Sequence, residues 1–146
     1  LRNIPPNGDG NQKRSFTYID DFTPYFAKTG FLKKTDGEII NIGPTKEYTI
    51  NELSNVVLNE FFPDGKVPEN LKPKYLPMRP LEVVNAWCTV DKAKEILGFK
   101  TTVDLGEGVK KMVAWARKLG PQKFRYLDNL EVVTDKTPST WVEKLM

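Results

Sequence analysis

The sequence contains no histidine and a single cysteine, Cys88. Without histidine, this chain can build neither a Ser-His-Asp triad nor a Cys-His pair, and the common zinc sites lose their usual ligand. With one cysteine an internal disulfide is impossible, which is typical of a reducing compartment. Cys88 fits a small buried hydrophobe better than a nucleophile, because no histidine can activate it. Any chemistry must come from carboxylates, Lys, Tyr, Ser or Thr, Arg, or a cofactor.

Long apolar runs are also missing. No stretch approaches the roughly 18 apolar residues that a membrane-spanning helix needs, and no secretory signal pattern opens the chain. The 146 residues are 39% hydrophobic and 28% charged, as in an ordinary soluble domain with one apolar core. We therefore expect a cytoplasmic protein with no membrane partner.

The net charge is small, at +3. The lysines are scattered along the chain and do not form one basic stretch. Such a distribution permits an anionic ligand, but it does not indicate nucleic-acid binding.

Apolar spacing predicts a mixed α/β chain. Two strands are expected, Ser15–Ile19 and Glu38–Ile42, with a short extended piece at 74–78. The four helices predicted from capping signals and apolar periodicity are 21–28, 50–61, 90–97 and 105–119. Such a chain has too few strands for an independent doubly wound sheet, so it resembles part of something larger.

The expected helix ends follow from local chemistry. Asp20 is the predicted N-cap of the first helix, and Thr49 with Glu52 forms a capping box for the second. Gly98 is a natural left-handed end for the third. The fourth helix begins after Asp104. Its expected apolar stripe is Leu105, Val109, Met112, Ala116 and Leu119.

The stretch GDGNQKRSFTYIDD, residues 8–21, opens like a phosphate-binding loop. It lacks a third glycine because Lys13 stands at that position, and it precedes a predicted strand where a dinucleotide fingerprint would follow one. The dinucleotide interpretation therefore fails. A tight surface turn is the plain alternative.

Two arginines are candidate anion ligands. Arg14 follows the glycine turn, and a solvated surface charge is its ordinary interpretation. Arg79 lies in YLPMRPLEVVNAW among apolar residues, where a purely solvated role fits less well. A guanidinium binds phosphate through paired hydrogen bonds, so two of them approaching from different loops could clamp a pyrophosphate. Glu82, near Arg79, could simply orient that arginine.

Other candidates have structural alternatives. Tyr18 and Trp87 could stack on a base or a sugar, although core packing is the usual role of single aromatic residues on strands. Asp20 and Asp21 are adjacent, so at a helix start they point in different directions and do not suit paired acid–base work. Capping is favoured for them. We assign no catalytic residue and no metal ligand.

Three segments, in order and in register over residues 8–118, resemble the extended short-chain dehydrogenases/reductases, the NAD-dependent sugar-nucleotide epimerases and dehydratases. Residues 8–21 are similar to the motif Gly-Asp-Gly-x-Gln-x-Arg-x-Phe-x-Tyr-(Val/Ile)-Asp-Asp of that family. GEIINIGPTKEYTINEL, residues 37–53, resembles its Asn-(Ile/Val)-Gly segment and the helix that follows. Residues 79–117 resemble its Arg-Pro-Gly-Asp-Val segment and its two closing helices.

The resemblance implies an α/β chain whose residues 1–120 are the C-terminal, substrate-binding portion of such an enzyme, with the Rossmann cofactor half absent. It implies that Arg14 and Arg79 contact the diphosphate of a sugar nucleotide, that Trp87 lies near the substrate, and that Gln12, in the same motif as Arg14, also binds the substrate. The whole protein is then expected to be similar to UDP-sugar 4-epimerases. NAD and a possible homodimer contact are expected in the missing N-terminal half.

Some positions depart from the family pattern. Leu81 and Glu82 stand where the family has Gly-Asp, and no Tyr is followed four residues later by Lys, so the catalytic Tyr-Lys pair has no counterpart here. The alternatives are a non-catalytic nucleotide-binding or interaction module and, within the family, a reductase or decarboxylase. Residues 121–146 form an extension of unknown role, in which LEVV could be a strand and Trp141 and Leu145 could dock a last turn.

Overall fold

The computed structural model describes residues 6, 8–79, 81–123, 133–137 and 142–143. The helices are α1 Ile19–Thr29, α2 Ile50–Phe61, α3 Asp91–Leu97 and α4 Leu105–Leu119, with 3-10 turns at Lys33–Thr35 and Glu69–Leu71. The strands are β1 Lys13–Arg14, β2 Tyr48–Thr49 and β3 Asn85–Ala86. Within these ranges, no helix has the length and apolar content needed to cross a bilayer.

The three short strands form one sheet in the order β2-β1-β3. β1 runs antiparallel to β2, with Arg14 opposite Tyr48, and parallel to β3, with Arg14 opposite Ala86. The Lys13 amide also donates to the Val84 carbonyl at 2.7 Å. Arg14 therefore lies on the central strand, and neighbouring strands fix its backbone on both sides.

The strand predicted at Ser15–Ile19 is wrong in position. The strand lies two residues earlier, and Ile19 already belongs to α1. Its aromatic and β-branched residues match strand propensity, but β2 and β3 pair only with Lys13 and Arg14. A strand ends where its hydrogen-bonding partners end, whatever the propensity of the residues that follow.

The strand predicted at Glu38–Ile42 is also not formed. The side chains of Ile40 and Ile42 pack against the buried cluster that contains Phe99, while Ile39 is 86% exposed. The alternation is therefore that of a strand. However, a strand requires a neighbour for its backbone groups, and no strand among the described residues pairs with this segment.

The N-cap prediction for α1 is wrong, because the helix begins at Ile19, one residue before Asp20. The N-cap is Tyr18, which makes no side-chain capping bond, and Asp20 lies inside the first turn. Asp21 is buried and accepts three hydrogen bonds, from the Thr102 amide at 2.9 Å, the Thr102 hydroxyl at 2.5 Å and the Val103 amide at 2.9 Å. It ties α1 to the segment before α4.

The other helix ends are confirmed. The capping box joins Thr49 and Glu52 in both directions, and Gly98 ends α3 with φ 70° and ψ 30°. The carboxylate of Asp104 accepts the Glu107 amide at 2.8 Å at the start of α4. These signals depend on neighbours within one turn, so the local sequence is enough to specify them.

The apolar stripe of α4 is only partly as predicted. Leu105 and Val109 are buried, and the third buried side chain is Val113, one turn further at steps of four. Met112 and Leu119 are exposed. Because α2 covers only one side of α4, the remaining apolar residues of the stripe lie on its open side.

A four-residue turn, 79–82, brings Glu82 back toward Arg79. The Glu82 amide donates to the Arg79 carbonyl at 3.3 Å. The third residue, Leu81, has φ 59°, and it is the one non-glycine residue in the described ranges with a positive φ. Glycine is the ordinary residue at such a position, because a Cβ there is strained.

The expectations for the C-terminal extension, residues 121–146, fall mostly outside the described residues. The proposed LEVV strand, residues 130–133, falls there apart from Val133, which is in no regular element. Trp141 and Leu145 also fall outside the described ranges. The division into residues 1–120 and 121–146 stays a prediction.

The first testable prediction concerns Asp21. Burial acts to raise the pKa of its carboxyl, but the Thr102 and Val103 hydrogen bonds and the charge of Lys111 outweigh burial and hold the pKa below its ordinary value. In the full-length protein, we expect Asp21→Asn to lower the free energy of unfolding by about 2–4 kcal/mol, because an amide cannot accept all three bonds and presents a donor to donors. Denaturant unfolding measures the loss.

Asp20→Asn is the matched control, since Asp20 is exposed in the same helical turn, and it should change stability little. The sign with pH follows from the lowered folded-state pKa of Asp21. Its contribution is present above the unfolded pKa and disappears as the pH falls through the folded-state pKa. Equal stability of Asp21→Asn and wild type near neutral pH would contradict this anchoring role.

The second prediction concerns the strained turn. Leu81→Gly should raise the free energy of unfolding by about 1 kcal/mol, because relief of the positive-φ strain exceeds the entropic cost of glycine. The Leu81 side chain is exposed, so little burial is lost. Val83→Gly is the control: Val83 is also exposed but has no positive φ, and the change should destabilise. A loss of stability in both variants would contradict the strain argument.

Candidate functional site

The two predicted anion-binding arginines meet at one carboxylate. Arg14 Nη2 donates to Glu82 Oε1 at 2.6 Å, and Arg79 Nε donates to Glu82 Oε2 at 2.7 Å. Arg79 Nη2 also lies 2.7 Å from Glu82 Oε2. The fold thus brings together two guanidinium groups that are far apart in the sequence. We call Arg14, Arg79 and Glu82 the arginine clamp.

The sheet positions Arg14 within this clamp. Its backbone lies on the central strand β1, and its Nη1 donates to the Lys13 carbonyl at 2.7 Å and to the Val84 carbonyl at 3.4 Å. Together with the bond from Nη2 to Glu82, these contacts hold the Arg14 guanidinium group through both of its Nη atoms. The Arg14 side chain is 27% exposed.

The turn 79–82 positions the other side of the clamp. The Glu82 side chain is only 7% exposed, whereas that of Arg79 is 36% exposed. The carboxylate is therefore enclosed, and the arginines cover it while still reaching solvent. Among the described residues, Arg14 Nε and Arg79 Nη1 donate to no protein acceptor. Two cations and one anion leave the clamp with a net positive charge, which favours an anionic ligand.

Trp87 and Gln12 lie close to β1, which carries Arg14, but their surroundings differ. Trp87 directly follows β3, one residue beyond Ala86, which pairs in register with Arg14, and it is 61% exposed. Gln12 directly precedes β1 and is buried. A contact of either side chain with a substrate stays a prediction.

The glycine turn is docked onto α2. Gly10 has φ 74°, and a Cβ built on it would lie 2.1 Å from Asn51 Oδ1. Asn51 Nδ2 donates to the Asp9 carbonyl at 3.0 Å, and Tyr75 donates its hydroxyl proton to Asn51 Oδ1 at 2.8 Å. The turn therefore requires glycine because a side chain from the helix fills the space, which favours the surface-turn alternative.

The N-terminus of α2 is already satisfied by this turn. The Ile50 amide donates to the Gln12 carbonyl at 3.1 Å, and the Asn51 amide donates to the Gly10 carbonyl at 3.0 Å. The Glu52 amide is taken by the capping box. Since carbonyls of the turn face these amides, the turn and the helix do not fit the pyrophosphate of a dinucleotide.

Tyr18 and Cys88 have structural surroundings. Tyr18 is half-buried, lies 3.5 Å from a Cβ built on Gly108, and has Lys111 Nζ 4.9 Å from its ring centroid. Cys88 is a free, half-buried thiol packed against the cluster that contains Phe99. Core packing accounts for both. Among the described residues, no group of three or more His, Cys, Asp or Glu side chains could hold a metal ion.

An apolar hollow of about 470 Å³ is lined by α2 and α4, including Phe61 of α2, and its lining extends to the exposed Met112 and Trp115 of α4. Its lining is mostly apolar. A sugar nucleotide needs several hydrogen-bond donors for its phosphates and hydroxyl groups. The hollow therefore does not suit such a ligand, and the clamp is the better candidate.

Sequence reasoning missed one contact of this arrangement, Arg14 with Glu82, and one residue, Asn51. Glu82 was expected to orient Arg79, three positions before it, but its bond to Arg14 joins distant segments and has no local signal. Asn51 lies inside the TINEL stretch and looks like an ordinary helix residue. The fold places the glycine turn against the start of α2, because the pairing of β1 with β2 brings these two segments together.

No protein-family profile matches the chain, but individual proteins do. The chain is 31% identical over 112 residues to the UDP-glucuronate 4-epimerase of Thermodesulfobacterium geofontis, which covers 76% of this chain and 32% of that protein. It is also 31% identical over 112 residues to the UDP-N-acetyl-alpha-D-glucosaminuronate decarboxylase of Bacillus cytotoxicus, covering 77% of this chain and 35% of that protein. The chain thus spans about a third of the length of the curated relatives it matches.

The fold gives the same relationship. The UDP-glucuronic acid 4-epimerase of Bacillus cereus, solved in complex with UDP-glucuronic acid and NAD, superposes with a TM-score of 0.70 at 28% identity. The match covers 81% of this chain and 36% of that one. By sequence and by fold, the chain belongs to the extended short-chain dehydrogenase/reductase family of sugar-nucleotide epimerases and dehydratases and corresponds to the C-terminal part of its members.

Proposed function

We propose that this chain is the substrate-binding portion of an NAD-dependent sugar-nucleotide epimerase or dehydratase, similar to the UDP-sugar 4-epimerases. Its arginine clamp would hold the diphosphate. The observation that carries the proposal is the convergence of Arg14 and Arg79 on the two oxygens of Glu82. Two guanidinium groups selected from the sequence as a pyrophosphate clamp lie in one site.

The chemistry of the clamp suits a diphosphate. The donors that Arg14 and Arg79 do not use within the protein are on partly exposed side chains, and the net charge of the group is positive. A diphosphate carries several acceptor oxygens and at least two negative charges, so it can take one charge-assisted bond from each guanidinium. Arginine suits this task better than lysine because its planar fork fixes the direction of the bonds.

The clamp acts at a distance from the reacting sugar. Energy from diphosphate contacts would be used to orient the sugar, which is remote binding converted into positioning. NAD, held by the N-terminal half of such an enzyme, would supply the removal and return of a hydride. Trp87, exposed just after β3, is proposed to border the bound nucleotide sugar, and Gln12, directly before β1, to take part in substrate binding.

In the whole protein, the catalytic residues and the cofactor site are proposed to lie outside this chain. No Tyr in this chain is followed four residues later by Lys, so the Tyr-Lys pair and the NAD site belong to the N-terminal half. A homodimer contact through that half and a cytoplasmic location belong to the same proposal. A reductase or decarboxylase remains an alternative within the family, since a diphosphate anchor serves each of these reactions equally.

The alternative outside enzymology is a nucleotide-binding or interaction module without chemistry. The two can be separated on the full-length protein by product analysis with UDP-glucose and UDP-glucuronic acid in the presence of NAD. Turnover of either sugar supports the enzyme. Binding without turnover of these or other UDP-sugars supports the module.

The third testable prediction is that Arg79→Ala in the full-length protein weakens UDP-glucuronic acid or UDP-glucose binding, whichever binds wild type. Removing one partner of a charge-assisted contact costs about 2–3 kcal/mol, which corresponds to a Kd raised by roughly 30-fold or more. Arg14→Ala is expected to act in the same direction. Titration calorimetry measures both.

Arg117→Ala is the matched control. Arg117 donates to the Glu60 and Phe61 carbonyls at the end of α2, away from the clamp, so its removal should leave the nucleotide Kd within about twofold of wild type. Unchanged affinity in Arg14→Ala and Arg79→Ala, with both variants folded, would remove the clamp as the diphosphate site.

A further inference from the structure

We infer that Glu82 is a positioning residue that preassembles the arginine clamp, and that it stays between the two guanidinium groups when an anion binds to their outer donors. This inference rests on the proposed function of the clamp. It assigns to Glu82 a role in holding Arg14 and Arg79, and it places the ligand on the side of the arginines that faces solvent.

The first support is that the two carboxylate oxygens of Glu82 bind different arginines. Oε1 of Glu82 accepts from Arg14 and Oε2 accepts from Arg79, with distances of 2.6 and 2.7 Å. Each oxygen therefore serves one arginine, and the carboxylate plane sets the separation of the two guanidinium groups. A carboxylate that formed only a local ion pair with Arg79 would not reach a strand that is distant in the sequence.

The second support is burial. The Glu82 side chain is 7% exposed, against 27% for Arg14 and 36% for Arg79. A diphosphate arriving from solvent meets the arginines before it meets the carboxylate. Displacing Glu82 would leave an enclosed carboxylate without its partners, which is costly. Binding to the donors that face outward avoids that cost.

The third support is charge. Without Glu82, two guanidinium groups close enough to share one carboxylate would repel each other and separate. Their side chains would then have to be brought together by the ligand, which spends binding energy on ordering. With Glu82 in place, that ordering is already achieved in the folded protein.

The fourth support is the backbone that delivers Glu82. The turn 79–82 is closed by the bond from the Glu82 amide to the Arg79 carbonyl, and Leu81 within it has φ 59°. A non-glycine residue persists in such a conformation only where the surroundings hold it. Here Arg79 and Glu82 hold it, because they are joined by a backbone hydrogen bond and by their side chains.

If Glu82 competed with the ligand, its neutralisation would change the affinity in the opposite direction. If the carboxylate occupied the place of the diphosphate, the ligand would have to expel it, and neutralising Glu82 would strengthen binding. If Glu82 only stabilised the fold, neutralising it would weaken the binding of all ligands alike. Measurements on one pair of ligands separate these roles from positioning.

The experiment uses the full-length protein with Glu82→Gln, Glu82→Asp and the control Glu38→Gln. Glu38 forms an exposed ion pair with Lys92 at 2.7 Å, so its variant removes the same charge from a different pair. Binding is measured by titration calorimetry with UDP, which carries the diphosphate, and with uridine, which lacks it. Thermal unfolding is followed for every variant.

For Glu82→Gln we expect UDP to bind about tenfold or more weakly, with uridine binding unchanged. Glu82→Asp keeps the charge on a shorter side chain and should recover part of the UDP affinity. Glu38→Gln should match wild type. Tighter UDP binding by Glu82→Gln, or equal weakening of UDP and uridine, would overturn the positioning role.

The outcomes keep the two proposals distinguishable. If Arg14→Ala and Arg79→Ala weaken UDP binding while Glu82→Gln does not, the clamp stands and the role of Glu82 is wrong. If neither arginine variant affects UDP, the clamp itself is wrong.

A second measurement needs no Glu82 variant. The Nε–H of Arg79, observed by NMR in wild type, should stay protected from exchange with solvent when UDP is added, because its bond to Glu82 Oε2 is retained. Loss of that protection on UDP binding would mean that Glu82 is displaced, and it would overturn the inference even if Glu82→Gln failed to fold.

Discussion

The arrangement of the site depends on one enclosed carboxylate shared by two guanidinium groups. Glu82 sits at the end of a strained turn, Arg79 at the start of that turn, and Arg14 on the central strand of the small sheet. The sheet joins segments that are distant in the sequence, and the shared carboxylate joins their side chains. A clamp of this kind is possible only because β1 and β3 run parallel and place Arg14 beside the strand that follows the turn.

Local chemistry in the sequence predicted the helices well. The capping box at Thr49, the left-handed Gly98 and the start of α4 after Asp104 are confirmed, because each depends on groups within one turn of the chain. The strands were predicted poorly for the converse reason. Residues 15–19 and 38–42 have strand-like side chains, but a strand is made by a partner, and partners are set by the tertiary fold.

The candidate site shows the same division. Arg14 and Arg79 could be selected from motif and neighbourhood, and the relation between Arg79 and Glu82 is short enough to infer. The bond between Arg14 and Glu82 could not be inferred, since nothing near either residue signals the other. Asp21 lies in the first turn of α1, as predicted, but its three hydrogen bonds from Thr102 and Val103, far along the chain, could not be inferred.

Hydrogen bonds between the glycine turn and the first amides of α2 couple the position of β1 to that of the helix. The first amides of α2 are held by the carbonyls of Gly10 and Gln12, and Arg14 follows two residues later. A displacement of Arg14 must therefore either break these bonds or carry the helix with it. If an anion binds Arg14 as proposed, we expect the first turn of α2 to open less often, which would slow the exchange of its amide hydrogens with solvent.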